Sequence, residues 1–329
     1  MSSMINAAIT GTGSSTPKRV LTNFDLEKIV DTSDEWITER SGIKERRIVE
    51  NGIASSDLSL EASKQAMEEA KVTPEQIDMI LVGTVTPDYL LPSTACILQD
   101  KLGAKNAGVM DIVAACSGFI YGLSTAQAFI QSQQCKTILV IGVEILSSVT
   151  DWTDRNTCVL FGDGAGAAIV QDTNDDRGIL ATFLSGDGSL ANLLHIPIGG
   201  SKVPLTEDNI KERKHFIRMQ GSEVFKSAVR SMGDATERIL KLGGITSEQV
   251  DLLIPHQANI RIIEATARRV KIPMDRVFVN IQKYGNTSSA SIPIALDEAR
   301  KSGVIKPGSM VALVAFGGGF TWGSALVKF

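Results

Sequence analysis

The feature of this sequence that most constrains its fold is an internal repeat. Residues 72–81 (VTPEQIDMIL) resemble residues 245–254 (ITSEQVDLLI), an offset of 173 residues (245 − 72). The two halves also end alike, because residues 161–170 (FGDGAGAAIV) resemble residues 316–327 (FGGGFTWGSALV). Similar segments in the same order along a chain predict that the fold contains two copies of one structural unit.

A third match extends the repeat toward the start of each half. Residues 11–14 (GTGS) resemble residues 186–189 (GDGS). The polar Asn/Asp stretch at 172–177 separates the two copies. We therefore predict a boundary there, which divides the chain into an N-terminal half, 1–174, and a C-terminal half, 175–329.

Within each half, amphipathic helical patterns alternate with short apolar runs. Helices are predicted at residues 58–70, 117–131, 223–242 and 260–270. Buried strands are predicted at residues 78–84, 137–143, 251–255 and 310–316. Such alternation is typical of mixed or parallel sheets covered by helices. Two stacked copies predict an α/β fold with five layers, ordered α/β/α/β/α.

Composition narrows the classes of function. The 33 basic and 37 acidic residues give a net charge of −4, which argues against general nucleic-acid binding. The chain lacks an uncharged apolar stretch of about 18 residues, so we expect no membrane span. The segment 1–6 lacks the features of a signal peptide. The four cysteines form no CxxC pair, which predicts neither a metal site nor disulfides and favours the reducing cytoplasm.

Cys116 is the candidate nucleophile. It lies in the segment VAACSGF, after a strand-like run and before the predicted helix at 117–131. The positive end of a helix lowers the pKa of a nearby thiol and favours the thiolate. The alternative is a small buried thiol without a chemical role. Cys96, Cys135 and Cys158 lack this setting and are interpreted as structural.

His256 is the candidate acid–base or hydrogen-bonding group. It follows the strand predicted at 251–255, and α/β folds place ligands at the carboxyl ends of their strands. The alternative is a hydrogen-bonded core histidine. His195 and His215 have no comparable setting and are interpreted as structural or surface residues.

Asn286 lies in the segment YGNTSSA, which is also ordinary turn and helix-capping sequence. The repeat favours a functional interpretation. Cys116 follows the glutamine of the first repeat by 40 residues (116 − 76), and Ser289 follows that of the second by 40 (289 − 249). The Asn286 loop therefore corresponds to the Cys116 loop, and both face one cleft. Gly317–Gly319, after the last predicted strand, either present N–H groups to an oxyanion or form a tight turn.

Together these residues resemble the β-ketoacyl-acyl-carrier-protein synthase III family, the initiating condensing enzymes of dissociated fatty-acid synthesis. The likeness runs from about residue 5 to residue 329. Its most specific segments are TSDEWI (32–37), ACSGF (115–119), PHQAN (255–259), GNTS (285–288) and AFGGGFTWGSAL (315–326). The resemblance implies a thiolase-like fold, a homodimer, and acyl-CoA and acyl carrier protein as partners. It implies no metal or redox cofactor, since the coenzyme A thioester is a substrate.

The resemblance also implies roles for individual residues. Cys116 would accept the acyl group, His256 and Asn286 would form the decarboxylation site, and the backbone amides of Cys116 and Gly318 would form the oxyanion hole. The implied coenzyme A contacts are Thr32, Trp36, Arg40, Arg155 and Asn259, with the adenine between Trp36 and Arg155. Lys226 and Arg261 would receive the carrier protein. Leu91 would cap the acyl pocket of the partner subunit, at a position of variable size that leaves primer preference open.

The implied reaction is a decarboxylating Claisen condensation of a short-chain acyl-CoA with malonyl-acyl carrier protein, through an acyl-cysteine. The basic residues of two predicted helices suggest a wider carrier-protein surface that adds Arg230, Arg268 and Arg269. Three alternatives remain: a related condensing or acyl-transfer enzyme of secondary metabolism, a papain-like thiol hydrolase, and a non-catalytic partner subunit. The duplication disfavours the second, and the presence of all three candidate residues disfavours the third.

Overall fold

The computed structural model describes residues 6–329. The strands of the first half are β1 (Asn6–Ser15), β2 (Val20–Thr22), β3 (Glu45–Arg47), β4 (Met79–Gly83), β5 (Gly108–Ile112), β6 (Thr137–Ile145) and β7 (Asp163–Thr173). Its helices are α1 (Asn23–Leu26), α2 (Asp34–Ser41), α3 (Ser55–Ala70), α4 (Thr94–Leu102), α5 (Gly118–Gln131) and α6 (Arg155–Cys158).

The second half repeats this alternation of strands and helices. Its strands are β8 (Gly178–Gly186), β9 (Leu194–His195), β10 (Arg218–Met219), β11 (Leu252–Pro255), β12 (Met310–Gly317) and β13 (Thr321–Lys328). Its helices are α7 (Gly221–Gly243), α8 (Ile260–Arg269), α9 (Ile281–Tyr284) and α10 (Ser291–Lys301). Each of the eight elements predicted from the sequence is present, with its ends displaced by three residues or fewer.

Two mixed sheets form the body of the molecule. The first has the order β1-β7-β6-β4-β5, and the second has the order β11-β12-β13-β8. In the first sheet β4 pairs in parallel with β5 and β6, whereas β7 is antiparallel to β6 and β1. In the second, β11 is parallel to β12, and β13 is antiparallel to β12 and β8. The second sheet therefore repeats four strands of the first in order and direction.

Helices lie on both sides of the two sheets and between them. α5 and α10 contact strands of both sheets, α3 and α4 cover the outer face of the first sheet, and α7 covers that of the second with α8 packed on it. The central buried cluster combines residues of both halves, including Phe119, Ile120, Ile292 and Leu296. The predicted five-layered α/β/α/β/α architecture is confirmed, because burying the two apolar faces of each sheet requires a helix layer on either side.

The third sequence match is wrong. Gly11–Ser14 lies inside β1, whereas Asp187 and the residues after it lie beyond the end of β8. The strand ladders show the true correspondence, since Ser14 pairs with Gly166 and Leu184 pairs with Gly323. β7 ends and β8 begins on either side of the polar stretch 172–177. The division into halves 1–174 and 175–329 stays a prediction.

Two sharp turns, each at the start of a central helix, bring the halves together. They are the 3-10 turns Ala115–Ser117 and Ser288–Ala290, which lie 173 residues apart (288 − 115). Ala115 and Ser288 both have left-handed backbone, with φ of 46° and 49°. At Gly142, a Cβ would lie 2.1 Å from the carbonyl oxygen of Ser289, so only glycine lets the second turn pack onto β6.

None of the helices within residues 6–329 has the length and hydrophobicity needed to cross a bilayer. The four cysteines are free thiols. The expectation about a signal peptide concerns residues 1–6, which lie mostly outside the described residues.

Candidate active site

Cys116 lies in the middle of the first sharp turn, one residue before Ser117 and two before α5. Burial raises the pKa of its thiol to about 12, and the neighbouring Ser288 side chain acts in the opposite direction. The expected lowering of this pKa is therefore contradicted. Cys116 is partly accessible, but it lies in the walls of two cavities, and the desolvation there disfavours the charged thiolate.

His256 directly follows β11 and is held by its backbone and its ring. Its N–H donates to the Val314 carbonyl at 2.8 Å, and its Nδ1 lies 2.6 Å from Ser291 Oγ. Burial lowers the pKa of the imidazole to about 3. The ring is therefore neutral near pH 7 and can donate one hydrogen bond from Nε2.

Asn286 is fixed at the entrance of the second turn. Its N–H donates to the Leu160 carbonyl at 2.9 Å, and its carbonyl accepts from Gly162 N–H at 3.0 Å. Its Oδ1 accepts from Ser288 N–H at 2.8 Å. Because the amide oxygen is used within the turn, the Nδ2 group remains as a donor.

The structure brings the three candidates together, although they come from two halves of the chain. Cys116, His256 and Asn286 line one cavity of about 120 Å³, together with Phe316 and Gly317. A second cavity of about 410 Å³ also opens onto Cys116. Apolar side chains form much of its wall, with contributions from Val85, Val113, Leu146, Phe161, Leu194, Ile196 and Ile217.

The glycine run at the end of β12 lies against the Cys116 turn. A Cβ at Gly317 would lie 2.5 Å from the Cys116 backbone nitrogen, so the two backbones touch. Gly318 lines the apolar cavity beside Cys116. The arrangement is compatible with an oxyanion hole formed by the amides of Cys116 and Gly318, and that role stays a prediction.

An open groove of about 850 Å³ runs from the surface toward these cavities. It shares five wall residues with the inner cavity: Leu160, Met219, Gly221, Phe225 and Asn259. Groove and cavity therefore form a path from the surface to Cys116. An elongated ligand with a reactive end could place that end at the thiol.

Comparison with known proteins identifies the family to which the chain belongs. The family model described as 3-oxoacyl-[acyl-carrier-protein] synthase III matches residues 110–188, and the model of its C-terminal part matches residues 240–329. The β-ketoacyl-[acyl-carrier-protein] synthase III of Caldanaerobacter subterraneus is 55% identical over 100% of this chain and 99% of its own length. The chain belongs to the β-ketoacyl-acyl-carrier-protein synthase III family.

Two further relatives support the same assignment. The synthase III of Natranaerobius thermophilus is 53% identical over 99% of this chain and 100% of its own. The crystal structure of the Aquifex aeolicus 3-oxoacyl-[acyl-carrier-protein] synthase III superposes with a TM-score of 0.92, with 52% identity over 98% of this chain and 100% of that one. The thiolase-like fold and membership of a family of acyl-transferring condensing enzymes, which initiate fatty-acid synthesis, are thereby confirmed.

The residues predicted to hold the nucleotide lie at the outer end of the groove. Trp36 and Arg40 line it. Arg155 stacks directly on Trp36, with its Cζ 4.1 Å from the ring centroid, and Arg40 Cζ lies 4.8 Å from that centroid. An adenine stacked between Trp36 and Arg155 requires a separation of roughly 7 Å between the indole ring and the guanidinium, because each stacking contact is about 3.5 Å. Arg155 must therefore move for the predicted sandwich to form. Thr32 Oγ1 is buried without a hydrogen-bond partner among residues 6–329.

Asn259 has a structural role that the sequence did not reveal. Its Oδ1 accepts from Arg261 N–H at 2.9 Å and caps α8. Its Nδ2 donates to the Arg40 carbonyl at 2.8 Å, which ties α8 to α2. Because both ends of the amide are used, Asn259 contributes to the groove mainly as a fixed part of its wall.

Lys226 and Arg261 are exposed and lie on the wall of the same groove. Lys226 Nζ lies 2.9 Å from a Glu223 carboxylate oxygen, a contact that is weak at the surface. The wider basic surface is only partly available, because Arg269 is paired with Asp234 and Glu237. Arg269 is therefore a structural residue rather than part of a free basic patch.

Leu91 lies in the loop between β4 and α4 and is 86% exposed. It lines neither of the two cavities at Cys116. Its neighbour Leu90 is 94% exposed, and Val113 beyond the edge strand β5 is 79% exposed. That Leu91 caps a partner's pocket stays a prediction, because it concerns the contact between two subunits.

The sequence reasoning missed residues on a segment between β8 and α7. β9 and β10 pair with each other and bring Leu194, His195, Ile217 and Met219 to the cavity walls. His195, interpreted above as structural or surface, lines the apolar cavity, and its Nδ1 has no hydrogen-bond partner within the described part of the chain. The available signal was the alternation of apolar residues with other residues at 194–198 and at 217–219, which is compatible with short strands.

Proposed function

We propose that this chain condenses a short-chain acyl-CoA, such as acetyl-CoA, with malonyl-acyl carrier protein and releases 3-oxoacyl-acyl carrier protein. The observation that carries the proposal is the meeting of Cys116, His256 and Asn286 at one cavity that continues into a surface groove. A pantetheine arm is long and thin, and such a path admits it while the bulky nucleotide or carrier protein stays outside.

In the first half-reaction, the Cys116 thiolate attacks the acyl-CoA thioester. The oxyanion receives hydrogen bonds from the backbone amides of Cys116 and Gly318, and the tetrahedral intermediate expels coenzyme A. The acyl chain then occupies the apolar cavity of about 410 Å³ beside Cys116. The groove holds the coenzyme A through Trp36, Arg40 and Arg155, with Thr32 and Asn259 nearby.

In the second half-reaction, malonyl-acyl carrier protein loses carbon dioxide and its thioester becomes an enolate. His256 Nε2–H and Asn286 Nδ2–H donate to the enolate oxygen, and the enolate carbon attacks the acyl group on Cys116. A neutral imidazole suits this task, since it donates a proton in a hydrogen bond without having to lose one. We propose that no metal or redox cofactor takes part, because backbone and side-chain donors meet the developing charge.

We further propose a homodimer and a cytoplasmic location. The exposed apolar side chains of Tyr89, Leu90, Leu91 and Val113 beside edge strand β5 support a protein interface there. The four free cysteines are compatible with a reducing compartment. Lys226 and Arg261, at the groove, would attract the acidic carrier protein.

The decisive experiment is incubation of the protein with acetyl-CoA and malonyl-acyl carrier protein. We expect acetoacetyl-acyl carrier protein and release of carbon dioxide, with Cys116→Ala as the inactive control. A series of straight and branched acyl-CoA primers then defines the preference. Acyl transfer from CoA without carbon-dioxide release would contradict the proposal and favour another acyl-transfer reaction.

A further inference from the structure

Glu144 is a fully buried carboxyl group that the reaction above does not use. It lies near the end of β6, behind the two sharp turns. Its Oε1 accepts from Ser288 Oγ at 3.0 Å. Ser289 Oγ lies 3.2 Å from the same oxygen, but its one hydrogen is directed at the nearer Gly83 carbonyl, 2.7 Å away. The Oε2 of Glu144 accepts from Thr86 Oγ1 at 2.6 Å. Burying a charged carboxylate costs free energy, and buried titratable groups cluster at functional sites. Glu144 is therefore a candidate functional residue.

The hydrogen bonds around Glu144 favour its ionised form, the carboxylate. Besides the Ser288 and Thr86 hydroxyls, Thr84 Oγ1 donates at 3.3 Å and Val85 N–H at 3.1 Å. Four donors around two oxygens favour the charged form. Burial nevertheless raises the pKa of Glu144 to about 7. The group can therefore be ionised at rest and still hold a proton near neutral pH.

Ser288 lies between this carboxylate and the nucleophile. Its Oγ donates to Glu144 Oε1 at 3.0 Å, and the residue lines the same cavity wall as Cys116. The serine is held in place by its N–H bond to Asn286 Oδ1, at 2.8 Å, and has a φ of 49°. Left-handed backbone at a residue other than glycine costs energy and tends to occur where a side chain must be aimed.

We propose that Glu144 accepts the proton of Cys116 through the Ser288 hydroxyl. The inference rests on the proposed function, because it assumes that Cys116 must become a thiolate to be acylated. The thiol S–H bond breaks, Ser288 Oγ takes that proton and passes its own to Glu144, and the thiolate attacks the thioester. Cys116 and Glu144 share a single negative charge, which moves from the carboxylate to the sulfur.

The proton is returned in the second half-reaction. Acylation leaves Glu144 protonated, and the departing coenzyme A thiolate takes a proton from solvent. When the enolate attacks the acyl group, the carbon–sulfur bond breaks and Cys116 leaves as a thiolate. The proton on Glu144 then returns through Ser288 and restores the starting state. This cycle explains how a thiol whose pKa burial raises can react without His256 as its base.

Two variants and a matched control test the relay. Glu144→Gln removes the proton acceptor, and Ser288→Ala removes the link while leaving Glu144. Ser289→Ala is the control, because the Ser289 hydroxyl lies nearly as close to Glu144, at 3.2 Å, but its hydrogen is directed at the Gly83 carbonyl at 2.7 Å. Alkylation of Cys116 by iodoacetamide, followed by peptide mass spectrometry, measures thiolate formation without any assumption about substrates.

At pH 7 we expect Glu144→Gln and Ser288→Ala to slow both alkylation and acylation of Cys116 by about 100-fold. Ser289→Ala should stay within about threefold of the parent. If Glu144 only repels the thiolate, its neutralisation would make both reactions faster, which would overturn the proposal. Equal effects of the two serine substitutions would overturn it as well. Malonyl decarboxylation should persist in both relay variants, and its loss along with normal alkylation would count against the proposed function instead.

The pH profile gives a second readout. Within residues 6–329, Glu144 is hydrogen-bonded to hydroxyls and one amide, and its charge acts on the Cys116 thiol. For the parent protein, the alkylation rate should rise through about pH 7 and then level off, as Glu144 becomes ionised. In Glu144→Gln, the rate should instead keep rising with pH as the thiol ionises directly. An unchanged profile would contradict the relay.

Discussion

Ser291 Oγ lies 2.6 Å from the Nδ1 atom of His256, across the interface between α10 and the end of β11. The same oxygen accepts the Gln257 N–H at 3.4 Å. The Ser291 hydroxyl can donate to Nδ1, and on that basis we assign the imidazole proton to Nε2. In this tautomer the ring donates a hydrogen bond into the cavity.

This neutral donor predicts a particular pH dependence. Burial lowers the pKa of His256 to about 3, so the ring stays neutral as the pH falls to about 5. We expect malonyl decarboxylation by a Cys116→Ala variant to be nearly constant between pH 5 and 8. A histidine with an ordinary pKa of about 6.5 would instead produce a change of rate near that pH. Stopped-flow detection of carbon dioxide distinguishes the two.

Substitution of His256 or Asn286 should separate the two half-reactions. His256→Ala or Asn286→Ala removes one donor to the enolate, and decarboxylation should fall by about a hundred- to a thousand-fold. Acylation of Cys116 should survive, since neither side chain is needed to form the thiolate. Mass-spectrometric trapping of the acyl-enzyme beside carbon-dioxide release measures both. Loss of acylation with normal decarboxylation in His256→Ala would show that the division of roles is wrong.

Trp36→Ala should raise the KM for acyl-CoA by about tenfold, because the aromatic face at the outer end of the groove is lost. Trp36→Phe is the matched control and should keep most of the affinity. Because Trp36 is half-buried and packs against an apolar cluster, the free energy of unfolding is measured for both variants to separate lost binding from lost stability. An unchanged acyl-CoA KM in Trp36→Ala would remove the residue from the binding site.

Charge reversal at Lys226 and Arg261 should weaken the interaction with the acidic carrier protein. We expect the KM for malonyl-acyl carrier protein to rise about tenfold, with a steep dependence on salt, while acylation by acyl-CoA stays largely intact. Lys64→Glu is the comparison, because Lys64 is exposed on α3 and is not among the residues that line the groove. Equal damage to both substrates would indicate a folding defect.

Arg46 should matter for stability rather than for catalysis. Its guanidinium is fully buried and donates to the Leu21 carbonyl at 3.2 Å, Asn23 Oδ1 at 2.9 Å and the Val159 carbonyl at 2.7 Å. Arg46→Met would leave these acceptors buried without their donor, and the free energy of unfolding should fall by about 3 kcal/mol. Urea unfolding followed by circular dichroism measures the change.

The adjacent arginine is the control for that experiment. Arg47 is partly exposed and pairs with Glu45 at 2.7 Å, so Arg47→Met should cost less than about 1 kcal/mol. Similar losses for both variants would mean that burial of the Arg46 contacts is not what stabilises this region.

The repeat and the three chemical motifs were sufficient to predict the layered fold and the residues of the candidate centre. Cys116 and Ser289 are equivalent positions in the two repeats, and that equivalence is enough to place Asn286 in the same cleft. The prediction of a lowered pKa for the Cys116 thiol was wrong. It considered only the nearby start of α5, whereas residues that are distant in sequence bury the thiol and raise its pKa. The match of Gly11–Ser14 to residues 186–189 was wrong. These residue types are common in turns, and four of them are too few to determine which strand positions correspond.

The sequence by itself determined what is local or periodic: the alternation of strands and helices, the duplication, and the small residues that flank Cys116. The tertiary structure decided which distant groups meet. Glu144 and Ser288 are 144 residues apart and form one hydrogen bond at 3.0 Å, and Ser289 packs against Gly142 through a contact that only glycine allows. Burial, proton affinity and tautomer depend on the whole surroundings of a group. They follow from packing in three dimensions, and a short stretch of sequence does not specify that packing.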